Sequence, residues 1–146
     1  MRWMVLPAVL TASLLAPADA KDEAVKKDMK QLQGTWSLVS LERDGVAAPL
    51  AKEAVRVITD DKYVMTLKPG VTIEGTFTID PGAKPKGMET TPSSGPYKDK
   101  ALLGIYEIDG DTLKICYALP AKPRPTEFTS KEGSGWILSV HKRVKE

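Results

Sequence analysis

From Gly34 to Arg143 the apolar residues recur at every second position in short runs, and each run stops at a turn signal. Val71 to Asp80 is the clearest run. Val71, Ile73, Gly75, Phe77 and Ile79 share one face, while Thr72, Glu74, Thr76, Thr78 and Asp80 share the other, so one side is buried and one is wet. A period of two excludes a helical bundle here. No helical pattern separates the runs, so the βαβ alternation of a parallel sheet is absent.

The remaining runs follow the same logic. Trp36, Leu38 and Ser40 alternate with Ser37, Val39 and Leu41, and Asp44-Gly45 closes that run. Val55–Thr59 ends at Asp60-Asp61, and Tyr63, Met65 and Leu67 mark a strand ended by Pro69-Gly70. Ala101–Ile108 and Thr112–Ala118 flank the hairpin signal Asp109-Gly110, and Leu113, Ile115 and Tyr117 share one side. Trp136–Arg143 is the last run, with Trp136, Leu138 and Val140 on one face. Pro81–Lys100 carries Pro81, Pro85, Pro92 and Pro96, which leaves only a brief edge strand around Lys86–Thr90. Pro120, Pro123 and Pro125 open a second irregular loop, Leu119–Gly135. About eight antiparallel strands close into a barrel or stack as a sandwich.

A short helix precedes the first strand. Over Asp22–Gln33, Val25, Met29 and Leu32 share one face, and Lys26, Lys27 and Lys30 take the wet side. Asp22 is the expected N-cap, Glu23 suits the positive end of the helix dipole, and Gly34 is a natural stop. The apolar stripe is narrow, so this helix is expected to dock on the strands.

Residues 1–20 read as an export signal. Met1-Arg2-Trp3 is a short basic start, Met4 to Pro17 is uncharged and mostly apolar, and Ala18-Asp19-Ala20 fits a small-x-small cleavage site before Lys21. The apolar run is shorter than the roughly 18 to 20 residues of a membrane-spanning helix, and Pro7 and Pro17 interrupt it. Residues 21–146 are then one exported domain, periplasmic or extracellular, that does not span the membrane after cleavage. Cys116 is the only cysteine, so no internal disulfide forms and the core carries the stability.

The composition, 146 residues with 42% hydrophobic and 27% charged, is that of an ordinary globular domain. Lys and Arg total 21 against 19 Asp and Glu, a net +2 with no block of like charge, so a nucleic-acid partner is not expected. One His and one Cys are too few for a structural zinc site, which uses about four such ligands. No cofactor motif is present, so no cofactor and no metal are expected.

Two features favour the barrel over the sandwich. Gly34-Thr35-Trp36 opens the first strand just after the helix, and Arg143 ends the last. This resembles the lipocalin and calycin pattern, in which an arginine of the last strand packs over a tryptophan of the first. The segments Leu32–Trp36, Leu103–Cys116, Arg124–Phe128 and Leu138–Arg143 together resemble an uncharacterised lipocalin-like domain family of planctomycete bacteria. That resemblance spans Leu32 to Arg143. It implies an all-β, eight-stranded antiparallel lipocalin-like barrel with a short N-terminal helix, closed by Trp36 and Arg143, and it implies no activity.

The expected site is therefore the barrel interior. Leu38, Met65, Ile73, Phe77, Tyr106, Tyr117, Trp136 and Leu138, with Leu113, fall on inward phases and outline an apolar cup for a small hydrophobic ligand. Gly75 and Gly104 lie in phase with them and either leave room or allow strand bending. The alternative is a filled barrel, a non-catalytic envelope interaction module whose proline-rich loops meet a protein or a polysaccharide. Catalysis is not expected. Cys116 and His141 lie on paired strands, but no third member or oxyanion device accompanies them, so they read as a structural thiol and a surface imidazole.

Overall fold

The computed structural model describes residues 17–145, so the expected export signal lies, up to residue 16, outside the described residues. Helix α1 spans Pro17–Leu32, beginning earlier than the expected Asp22. A proline suits the first helical turn, where its missing N–H costs nothing, and Asp19 sits in that turn where the dipole favours an anion. Gly34 ends the helix in the left-handed region, at φ 118°.

Nine strands follow: β1 (Gly34–Arg43), β2 (Val46–Ala47), β3 (Val55–Thr59), β4 (Lys62–Lys68), β5 (Val71–Asp80), β6 (Gly87–Pro92), β7 (Leu102–Asp109), β8 (Thr112–Ala118) and β9 (Trp136–Arg143). All pairings are antiparallel, in the order β1-β3-β4-β5-β6-β7-β8-β9, and β9 returns to β1. The result is an eight-stranded antiparallel lipocalin-like barrel, with the two-residue β2 as a flap on the far end of β1. Closure leaves no long unpaired edge.

Within the barrel β1 serves two neighbours. Gly34–Ser37 pairs with β3, while Trp36 through Arg43 pairs with β9. The register shifts between Leu38 and Ser40, so Val39 bulges outward and is 59% exposed. The bulge breaks the alternation expected for this strand and brings Leu41 opposite Ser139.

β6 corrects a second expectation. It is an inner strand, paired with β5 along its whole length and with β7 from Gly87 to Thr90, not an edge strand. Pro92 is tolerated because it sits at the strand end and pairs only with Gly75 of β5.

The core centres on the barrel axis. Trp36, Leu38, Phe77, Met88, Tyr106 and Leu113 are buried together, and Leu32 of α1 plugs that end. The helix is held by a polar pin. Asp28 is buried at 3% exposure and accepts from the Tyr106 hydroxyl at 2.6 Å and from Lys86 Nζ at 2.8 Å. The Trp36 indole N–H donates to Leu32 O at 2.9 Å, capping the last turn. Among the described residues no helix is long and apolar enough to cross a membrane.

Candidate functional site

The strand directions divide the interior into two halves. The start of β1, the ends of β5, β7 and β9, and the start of β8 lie at the α1 end. The opposite end is built from the start of β5, the end of β6, the start of β7 and the end of β8.

Near α1 the interior is solid. Leu38, Phe77 and Tyr106, three of the expected ligand-binding residues, are at most 6% exposed and pack among Trp36, Leu113 and Leu32. At the opposite end a cavity of about 60 Å³ is bounded by Arg56, Tyr63, Met65, Ile73, Tyr97 and Tyr117, with Leu102 and Ile115 in its wall. Met65, Ile73 and Tyr117 are therefore the expected residues that the structure brings to open space.

Trp136 and Leu138 are not in the interior, which corrects the expected phase of β9. Ile137, Ser139 and His141 are its buried inward positions, set by the pairs Leu38↔His141 and Leu113↔His141. Trp136 and Leu138 lie on the outer face, opposite Ala118 and Cys116. The Leu119–Gly135 segment covers that face. The Trp136 indole donates to Pro123 O at 3.1 Å, and the Cys116 thiol donates to Thr129 O at 3.3 Å. Trp136 and Leu138 are thus half-covered by a loop, and the inward phase is left to Ile137, Ser139 and His141.

The single histidine is accordingly buried, not at the surface. His141 Nδ1 lies 3.1 Å from Leu113 O, and Nε2 has no partner. Burial, then the positive charge of Arg56, pushes its pKa down to about 3, so the ring is neutral. A neutral ring that donates from Nδ1 to Leu113 O turns a bare acceptor, Nε2, into the interior. Cys116 faces the other way, on the outer face, so thiol and imidazole do not meet. Burial raises the Cys116 pKa despite the bond to Thr129 O.

Gly75 and Gly104 are sites of close approach rather than spare room. A Cβ on Gly75 would stand 2.6 Å from Thr91 O and 2.8 Å from the Tyr63 hydroxyl. One on Gly104 would stand 2.8 Å from Cys116 O and 3.1 Å from Tyr117 Cβ. Gly75 leaves space that the Tyr63 phenol uses, and Gly104 lets β8 approach at Cys116 and Tyr117.

Arg56 also lines the cavity, although the apolar pattern of its strand does not single it out. It lies at the second position of β3, between Val55 and Val57, where a hydrophobicity count turns the valines inward. The structure does the opposite: Arg56 and Ile58 are buried, and the valines are half-buried. The Arg56 guanidinium is 5.1 Å from the Tyr63 ring centroid and donates to the Met65 sulfur at 3.2 Å, while Nε has no partner. The signal in the sequence is a charged residue inside a short apolar strand of a small barrel.

At the α1 end Arg143 lies over Trp36, 4.2 Å from its ring centroid, and donates to Gln33 O and Gln31 O. Among the described residues no three His, Cys, Asp or Glu side chains come together in a group fit for a metal ion. No family model, curated protein or solved structure matches the chain significantly, so the barrel geometry and its side chains are what a functional reading rests on.

Proposed function

We propose that the protein is an exported binding barrel that takes a small amphipathic molecule at the end opposite α1. The carrying observation is the cavity of about 60 Å³ among Arg56, Tyr63, Met65, Ile73, Tyr97 and Tyr117. Drug-sized sites run to about 300–1,000 Å³. The ligand is therefore small, or places one end in the cavity and leaves the rest at the mouth. Export rests on the residue pattern of positions 1–20, and membership of the planctomycete lipocalin-like family on the motifs from Leu32 to Arg143.

The reading is binding and not catalysis, because Cys116 and His141 occupy opposite faces of the sheet. A second reading, the filled-barrel interaction module, draws support from the solid packing near α1. Methyl NMR of Met65 and Ile73 under titration with a panel of small organic fragments separates the two. Saturable shifts that disappear in Ile115→Trp, which fills the cavity, are expected for the binding barrel. No saturable shift from any fragment in the folded wild type overturns it in favour of the filled module.

A further inference from the structure

We propose that Arg56 is an anion-binding residue and that the cavity takes the carboxylate of a monoanionic ligand, with a short apolar tail against Met65, Ile73 and Leu102. This deepens the binding-barrel reading and rests on it. Arg56 is 4% exposed and sits on the cavity wall. A guanidinium keeps its proton in proteins, so its charge stays in the interior unless something balances it. Burial of an unpaired charge is strongly unfavourable.

Among the described residues nothing supplies the balance. The ion pairs among the described residues join Lys26 to Glu23, Lys86 to Asp28, and both Arg143 and Lys145 to Asp111, and none includes Arg56. The guanidinium has a thioether sulfur and an aromatic face, both weak partners, and its Nε–H is left bare. Tyr63 and Tyr117 do not ionise to compensate. Burial raises the Tyr63 pKa and pushes that of Tyr117 up to about 12, so both remain phenols, able to donate to an oxyanion. His141 is neutral and so adds no second cation.

The chemical class follows from the count and the shape. One guanidinium balances one negative charge, and a phosphate dianion would bring a second that has no partner. A carboxylate offers two coplanar oxygens to the N–H fork of arginine. The cavity volume of about 60 Å³ admits the carboxylate and the first carbons, and the apolar wall then favours a tail over a bare ion.

The test is titration of the full exported chain with butyrate, isosteric butyramide, butylamine and chloride. Binding is followed by Met65 and Ile73 methyl shifts and by calorimetry. Butyrate is expected to bind at least about tenfold more tightly than butyramide, since a charge-assisted hydrogen bond contributes about 1.5–3 kcal/mol. Arg56→Met, close in volume and uncharged, is expected to lose that preference while retaining weak butyramide binding. Arg56→Lys is expected to keep it in part. Equal affinity for butyrate and butyramide in the wild type overturns the carboxylate assignment and leaves the binding barrel standing. Tight butylamine binding overturns it as well, and so does chloride that saturates the same shifts with no gain from an alkyl tail. No binding by any of the four to a folded protein overturns the carboxylate assignment, and the fragment panel then decides the binding barrel. If Arg56→Met does not fold, the butyrate-to-butyramide ratio in the wild type decides alone.

Discussion

Arg143 ties the two ends of the chain's β-structure to the helix that precedes them: its guanidinium lies 4.2 Å from the centroid of Trp36, its register partner on β1, and reaches on to Gln33 O and Gln31 O. One side chain thus closes the barrel seam and satisfies two carbonyls at the C-terminal end of α1, where the dipole favours a cation. Asp111 adds a longer contact, 3.5 Å from Nε.

Arg143→Ala is expected to destabilise the protein by about 2 to 3 kcal/mol, from lost stacking and lost charge-assisted hydrogen bonds. Lys142→Ala, an exposed neighbour of opposite phase, is expected to cost under about 0.5 kcal/mol. Urea denaturation of both variants checks the difference, and equal midpoints would remove the assigned role.

The pin between α1 and the barrel gives a second expectation. Tyr106→Phe leaves the buried Asp28 carboxylate with Lys86 as its one side-chain donor. The cost is expected to be about 1–3 kcal/mol, the range for a buried polar group deprived of a partner. Hydrogen exchange separates this from a general loss. Amides of α1 should exchange faster relative to those of β8, and uniform acceleration would contradict the pin.

The neutral His141 makes stability pH-dependent. Its folded pKa of about 3 lies below the ordinary 6.5, so between those values the unfolded chain binds more protons than the folded one. Stability therefore rises with pH across that window. The contribution is complete above about 6.5 and falls away as pH drops toward 3, at up to about 1.4 kcal/mol per pH unit. His141→Asn keeps a donor for Leu113 O and removes the titration. Urea midpoints at pH 7, 5.5 and 4 should fall more steeply for the wild type than for the variant, and parallel slopes would refute the assignment.

Gly75 tests how tightly β5 and β6 approach. Gly75→Ala would set a Cβ 2.6 Å from Thr91 O and 2.9 Å from Pro92 Cα, both backbone atoms that cannot swing away. A loss of about 1–3 kcal/mol is expected. Gly82→Ala, whose nearest neighbour is an Asp80 carboxylate oxygen at 3.5 Å, should stay within about 0.5 kcal/mol. Thermal melts of the two variants measure the contrast.

Cys116 is expected to be inert in the folded protein. Its thiol is fully buried beneath the Leu119–Gly135 segment, and burial raises its pKa. Stoichiometric labelling at neutral pH should require unfolding, and labelling within seconds under native conditions would show that the segment does not cover β8.

The sequence by itself determined most of the strand pattern and the turns, while alternation alone left barrel or sandwich open. Alternation of apolar and polar residues is a local property, and Asp109-Gly110 or Pro69-Gly70 end a strand wherever it lies. It also placed Gly34 at the end of the helix, because a left-handed stop needs no distant partner. The tertiary structure decided which apolar face turns inward. Trp136 and Leu138 carry the hydrophobic phase of β9, yet they lie half-buried on the outside against the Leu119–Gly135 segment, and Ile137, Ser139 and His141 take the interior. The same holds for Arg56, whose inward direction follows from its pairing with Trp36 and Met65. Hydrophobicity shows that a side chain leaves water, but which surface covers it depends on segments that meet only after the chain has folded.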